Sequence, residues 1–135
     1  MWKCEIVHGP DLDVEEVVAL YRASTLAERR PVDETERFAD MVRQANLVVV
    51  ARVDDRLIGI ARSITDGSYV TYLSDIAVDV EFQRRGVGRD LIDKTREAAP
   101  RAKIVLLSAP AAVDYYPHIG FTRHESAWVL GALTP

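Results

Sequence analysis

The sequence predicts an α/β (α+β) fold: a mixed, mostly antiparallel sheet of six to seven strands flanked by about four helices. Three observations carry that expectation. Two stretches with apolar residues at helical spacing come first. Three strand-like runs then follow one another across short turns. Last, a strand, a glycine-bearing turn, an amphipathic helix and a short apolar strand form a crossover, which returns the chain parallel to itself.

Residues 2–7 alternate weakly and read as a strand that Gly9-Pro10 ends. Asp11 or Asp13 is placed to cap a helix in which Val14, Val17, Val18 and Tyr21 share a face, running to about Leu26. Arg29-Arg30-Pro31 breaks it. Asp33 stands three residues before Glu36, a capping-box-like spacing, and Phe38, Met41, Val42 and Ala45 give the second helix its apolar stripe. Residues 47–53 are β-branched and read as a strand buried on both faces. Asp54-Asp55-Arg56 turns the chain into a strand over 57–64, where Gly59 marks a bulge or a close backbone approach. Asp66-Gly67 is a hairpin signal, so the strand over 69–78 runs antiparallel to its predecessor. Val87, Leu91, Ile92, Thr95 and Ala98 form one face of the next helix, which Pro100 stops. A strand over 103–108, a short helix from about Pro110 to Tyr116, and strands after Gly120-Phe121 and over 126–130 complete the expected elements. The reading is of a single domain, 1–135.

The bulk properties bound the function. A chain of 135 residues suits one domain, and 48% apolar with 28% charged residues is globular in character. A net charge of −4 argues against broad nucleic-acid binding. No apolar run reaches the ~18 residues of a membrane span, and the N-terminus lacks a signal-peptide pattern. Cys4 has no partner for an internal disulfide, so it reads as a small strand residue and a reducing, cytoplasmic setting is the expectation.

The chain's chemistry centres on residues 69–99. An apolar strand, a polar turn over 79–85 and a helix opening at Gly86-Val87-Gly88 suit an anion. The first helical N–H groups have no partner within the helix, the peptide dipoles add positive charge there, and glycine admits a bulky group close to the backbone. The dinucleotide fingerprint fails, because Leu91 stands where a third glycine belongs and a polar turn separates the first glycine from the strand. The P-loop fails as well, because Gly88-Arg89-Asp90 replaces Gly-Lys-Ser/Thr.

What remains, Gln83-Arg84-Arg85-Gly86-Val87-Gly88 after Ile76-Ala77-Val78, resembles the acetyl-CoA signature of the GNAT superfamily of acyl-CoA N-acyltransferases, Gln/Arg-x-x-Gly-x-Gly/Ala. Tyr115-Tyr116-Pro117-His118-Ile119-Gly120-Phe121 is similar to the family's aromatic-Tyr-x-x-x-Gly-Phe segment, and the order of elements agrees. The resemblance implies a small single-domain acetyltransferase whose sheet splays after strand 69–78. It implies acetyl-CoA as cosubstrate and no metal. The pantetheine arm would lie along Ile76, Ala77 and Val78. The pyrophosphate would accept from backbone N–H groups between Gln83 and Arg89, with Arg84, Arg85 or Arg89 adding charge and Val87 and Gly88 forming part of the cradle.

Direct attack of a primary amine on a thioester needs the amine neutral, a donor for the carbonyl oxygen, and an acid for the departing sulfur. By the resemblance Tyr116 is that acid, with Tyr115 packing beside it. The N–H of Ile76 or Ala77 is the expected oxyanion donor. For the base, Asp75 is the first candidate, a carboxylate interrupting an apolar strand where desolvation would raise its pKa. Glu34, Glu36, His118 and a water chain stay open beside it. One departure is Ser108-Ala109-Pro110-Ala111, where many members carry an Asn that holds the pantetheine arm; Ser108 replaces it only in part. Asp33, Glu34, Glu36 and Asp40 near the expected acceptor entrance lean toward a cationic small-molecule amine. A homodimer is common in the family, and no residue here specifies an interface. The competing functions are a non-catalytic CoA-binding sensor or partner-binding module of the same fold, and an unrelated phosphate-binding domain. Tyr116 favours the enzyme, since a binder needs no proton donor there.

Overall fold

Asp13 begins the first helix as expected. Its carboxylate accepts from the Glu15 backbone N–H at 3.0 Å, and α1 (Val14–Ser24) follows in this computed structural model, which describes residues 1–134. Thr25 ends α1 in the left-handed region (φ 74°) and hands the chain to a single 3-10 turn over Leu26–Arg29. The second helix, α2 (Thr35–Gln44), has Glu34 at its N-cap without a side-chain cap; Asp33 is spent instead on Arg22, 2.9 Å away.

The strands are β1 (Lys3–Val7), β2 (Leu47–Val53), β3 (Arg56–Thr65), β4 (Val70–Val78) and β5 (Lys103–Val105), joined in that order in one sheet. The first three pairings are antiparallel and β4–β5 is parallel, as the hairpin turns and the crossover require. Asp66 builds the β3–β4 turn: its Oδ1 accepts from the N–H groups of Ser68, Tyr69 and Val70, and Gly67 supplies φ 77°. The crossover runs through α3 (Val87–Ala98).

The sheet divides the core. Tyr21, Val17, Phe38 and Val42 of α1 and α2 pack on one face against Val48, Val50, Ile60 and Ala77. Val87, Leu91 and Ile92 of α3 pack on the other against Val49, Ala51, Ile58, Ala61 and Leu73. Residues 48–51 thus alternate between faces and all are buried, which is why that run carries no polar residue. Gly59 is the close approach: a Cβ there would lie 3.1 Å from both Leu91 Cδ1 and Val87 Cγ1. Cys4 lies half-buried in β1, and burial pushes its thiol up.

The chain after β5 differs from the expectation. The predicted strand over 103–108 shortens to Lys103–Val105, and the predicted helix from Pro110 becomes two 3-10 turns, Pro110–Ala112 and Tyr116–Ile119. The strands expected after Gly120 and over 126–130 do not form among the described residues, so the sheet has five strands and the chain three α-helices. A strand is stable only on an edge long enough to pair with it, and β5 offers three residues. Trp128 and Leu130 are left 91% and 98% exposed. Among the described residues no helix is long and apolar enough to cross a membrane.

Candidate active site

The site grows out of a defect in β4. Arg62 pairs with Asp75 and Ser63 with Leu73, so Ser74 is an extra residue, a β-bulge. The bulge breaks the alternation of faces. Leu73 and Ile76 turn to the α3 side, while Asp75 and Ala77 turn to the α1–α2 side. Pairing with β5 stops just before it, at Tyr72 opposite Val105. Beyond that point the outer edge of β4 has no strand beside it. Asp79 N–H still donates to the Ile58 carbonyl of β3, so by the period of two Ala77 also faces β3 and the polar groups of Ile76 and Val78 face the gap. Gln83 Nε2 donates to the Val78 carbonyl at 2.8 Å, folding the polar turn back over the end of that edge.

The turn over 79–86 is built from local bonds. Asp79 accepts from the Glu81 N–H at 2.9 Å and from Arg56 Nη2 at 2.9 Å, starting a 3-10 turn over Val80–Phe82. Arg84 (φ 64°) and Gly86 (φ 98°) are left-handed, and Gly86 is the N-cap of α3 with no side-chain cap. The N–H groups of the first turn of α3 are therefore open. A Cβ on Gly88 would point at Tyr115 Oη (3.8 Å), Ile76 Cδ1 (3.9 Å) and Val78 Cγ2 (4.0 Å), so this glycine faces the same gap as the free edge of β4. Arg84, Arg85 and Arg89 are exposed, and none has a carboxylate partner among the described residues. Arg85 stacks over the Phe82 ring at 5.5 Å.

At the other end of the gap a cavity of about 110 Å³ is lined by Leu73, Ser74 and Ile76 of β4, by Leu106, Leu107, Ala109 and Ala112 after β5, by Leu26, Arg29 and Arg30 after α1, and by Tyr116. Tyr116 is wedged edge-on between Tyr115 and Phe121, with ring centroids 5.4 and 5.3 Å away. Burial, followed by the neighbouring Tyr115, pushes the Tyr116 phenol above its ordinary value, which keeps it protonated.

Asp75 does not have the setting expected of a base. Its carboxylate is fully buried and accepts from Arg30 Nε at 2.5 Å, Arg62 Nε at 2.7 Å and Tyr21 Oη at 2.7 Å. Burial alone would raise its pKa, but Arg62, Tyr21 and Arg30 together hold it below the usual carboxylate range. The expected raised pKa is thus reversed, because the chain after α1 and strand β3 bring two guanidiniums to the carboxylate. Arg62 extends the network to the Met41 carbonyl (3.1 Å) and Ser74 Oγ (2.9 Å), and Arg30 to the Ser74 carbonyl (3.0 Å). Tyr21, Arg30, Met41 and Arg62, far from the bulge in sequence, so fix Ser74 and Asp75. Arg30 and Arg62 were missed in the sequence, where one reads as a helix breaker and the other as an ordinary strand residue; an aspartate in an apolar strand was the signal that a cation must face it.

The other candidate bases do not reach the cavity. Glu34 pairs with Arg37 at 3.4 Å, and Glu36 and His118 are exposed and outside the lining. None of Asp33, Glu34, Glu36 and Asp40 lines it, so the acids that suggested a cationic acceptor lie elsewhere. Ser108 follows β5 and is half-buried, outside the lining too.

Comparison with known proteins bears on the family and the fold. Residues 15–129 match the family described as Acetyltransferase (GNAT) domain. GCN5-related N-acetyltransferase 2, chloroplastic, from Arabidopsis thaliana is 32% identical over 71 residues, which is 50% of this chain and 28% of that protein. This and three further curated relatives are matched over only 28–37% of their own length. Among solved structures, a GNAT-family acetyltransferase from Streptococcus pneumoniae superposes with a TM-score of 0.75 at 19% identity, covering 96% of this chain and 98% of that one. Aminoglycoside N-acetyltransferase AAC(6')-Iy in complex with CoA superposes with a TM-score of 0.73 at 19% identity, covering 98% and 95%. At these identities the structural likeness speaks for the fold alone.

Proposed function

The chain belongs to the GNAT acetyltransferase family, and from that premise we propose that it transfers an acetyl group from acetyl-CoA to the primary amine of a small molecule by direct attack. One observation carries the reading: the protonated phenol of Tyr116 lines the cavity at one end of the unpaired edge of β4, while the open start of α3 lies at the other end. A pure binder has use for the second and none for the first.

In this reading the pyrophosphate accepts from the backbone N–H groups over 83–89, and Gly86 and Gly88 let it approach. Arg84, Arg85 and Arg89, free of carboxylate partners, add charge. The pantetheine amides pair with the outward-facing Ile76 carbonyl and Val78 N–H, as a strand would, while Gln83 keeps the Val78 carbonyl. The Ile76 N–H stabilises charge developing on the thioester oxygen, since Ala77 is turned to β3. Tyr116 gives its proton to the sulfur as the C–S bond breaks. Asp75 serves by fixing Arg30, Arg62 and the bulge rather than by accepting a proton. CoA chemistry also fits the expected reducing compartment.

No carboxylate or imidazole lines the cavity, so the amine sheds its proton to water. The expected pH dependence follows. An alkylammonium has a pKa of about 10, and kcat/KM for the acceptor should rise about tenfold per pH unit from pH 6 toward that value, with no plateau from a group titrating near 6–7. Tyr116, raised, stays protonated across this range and adds no falling limb. A plateau beginning below pH 8 with an alkylamine would reveal a side-chain base.

Two glycine variants separate strain from blockage. Gly86→Val forces a β-branched residue to φ 98°, costing about 1–3 kcal/mol and rearranging the anion cradle. In Gly88→Ala the new methyl meets only ordinary contacts within the protein, so stability is kept while CoA affinity drops. Calorimetric titration with CoA, beside urea unfolding, checks both; unchanged affinity in Gly88→Ala removes the cradle from 86–88. The function itself is tested by free-thiol release from acetyl-CoA across a broad amine panel. Tight CoA binding with no release for any amine would make the protein a CoA sensor.

A further inference from the structure

We propose that the acceptor amine also carries a carboxylate, and that Arg29 beside Arg30 is what recognises it. The inference rests on the acetyl-transfer reading and concerns the acceptor end of that site.

Among the described residues, the only charged side chains lining the cavity beside Tyr116 are Arg29 and Arg30. Arg30 is held rigidly: Nε donates to Asp75 at 2.5 Å, Nη1 to the Arg29 carbonyl at 2.8 Å and Nη2 to the Ser74 carbonyl at 3.0 Å. Of a guanidinium's five N–H donors, three are thus taken and two remain. Its charge is only partly neutralised, because Asp75 is shared with Arg62 at 2.7 Å and one carboxylate faces two guanidiniums. Arg29 adds a second positive charge. It is exposed and has no ion-pair partner among the described residues. Its backbone is fixed by the 3-10 turn, in which Glu28 N–H donates to the Thr25 carbonyl and Arg30 N–H to that of Ala27.

A positive surplus without a facing acid repels a second ammonium group and attracts an anion. Guanidinium groups match carboxylate geometry in paired hydrogen bonds. The remaining lining is largely apolar, with Leu26, Leu73, Ile76, Leu106 and Leu107, and this favours a singly charged carboxylate over a phosphate dianion, whose desolvation costs more. An acceptor with its amine toward Tyr116 and its carboxylate on Arg29 and Arg30 is amino-acid-like.

The test is thiol release from acetyl-CoA with matched acceptors: an amino acid, its α-amide, the decarboxylated amine and an alkyl diamine. The wild type should prefer the acid to the amide by about tenfold or more in kcat/KM, the worth of one charge-assisted pair. Arg29→Gln should remove most of that preference, and Arg29→Glu should reverse it in favour of the diamine. Arg29 is exposed, so both variants should keep the wild-type urea midpoint. Preference for the amide or the diamine in the wild type, or an acid-to-amide ratio that Arg29→Gln leaves intact, overturns the inference while acetyl transfer stands. No release with any acceptor overturns acetyl transfer and the inference with it.

Discussion

Tyr116→Phe lowers kcat for acetyl transfer by about 10²–10⁴-fold, the range that a positioned proton donor supplies, and leaves CoA affinity little changed. The substitution removes one oxygen and keeps the ring, so the edge contacts with Tyr115 and Phe121 persist and the cavity keeps its wall. The deficit should depend on pH in a specific direction. A leaving thiol with a pKa of about 8.5 needs the proton most below that pH and can depart as thiolate above it. The ratio of wild-type to variant kcat therefore shrinks as pH rises through 8–10. Stopped assays of thiol release over that range, with CoA titration at each pH, check both parts. A kcat equal to wild type at pH 7 removes Tyr116 as the acid, and a large loss of CoA affinity would reassign it to packing.

Asp75→Asn destabilises the protein by about 3–5 kcal/mol, the cost of stripping one partner from a buried ion pair, against a typical total of about 5–15. The carboxylate side chain is fully buried and Arg62's is 8% exposed, so the Arg62 charge cannot turn to water, and Arg30, 22% exposed, reaches it only in part. An amide in its place also puts an NH₂ group where an oxygen accepted from a guanidinium, Arg30 or Arg62, that can only donate. The sign of the pH effect follows from the depressed pKa. Stability from this group is fully present above its unfolded value near 3.9 and is lost as pH falls below that toward the folded value. Urea midpoints of wild type and variant should thus differ widely at pH 7 and converge in acid. An effect at pH 7 no larger than that of the exposed Asp33→Asn would contradict the network. Folded variant enzyme should retain the rising pH–rate profile of the wild type, since Asp75 holds the bulge and takes no proton.

These two residues show what a single sequence makes legible. Tyr116 is legible through the resemblance of a local segment, Tyr-x-x-x-Gly-Phe, to the family's pattern, and that segment lies within a few residues. The strand–turn–helix at 76–88 was likewise local: a positive-φ glycine, open N–H groups and an apolar stripe need no distant partner to be recognised. Helices α1, α2 and α3, the hairpin at Asp66-Gly67 and the parallel crossover were read on the same grounds. Asp75 is the contrary case. Its protonation is decided by Arg30, 45 residues away, and by Arg62, 13 away, and no pattern within the strand records which cation will face it.

The tail after Gly120 is a second contrary case, since β-branched and aromatic residues there carry strand propensity but β5, the edge that precedes them, offers only three residues to pair with. The sequence by itself determined the order and kind of the elements through α3, the anion-suited turn and the tyrosine proposed as proton donor, because each is set by neighbours within about ten residues. Tertiary structure alone decided the charge of the cavity, the role of Asp75 and the bulge that opens the strand edge between Ile76 and the helix at Gly86-Val87-Gly88. Those depend on long-range pairing, where the strength of an interaction follows burial and partner geometry rather than residue type.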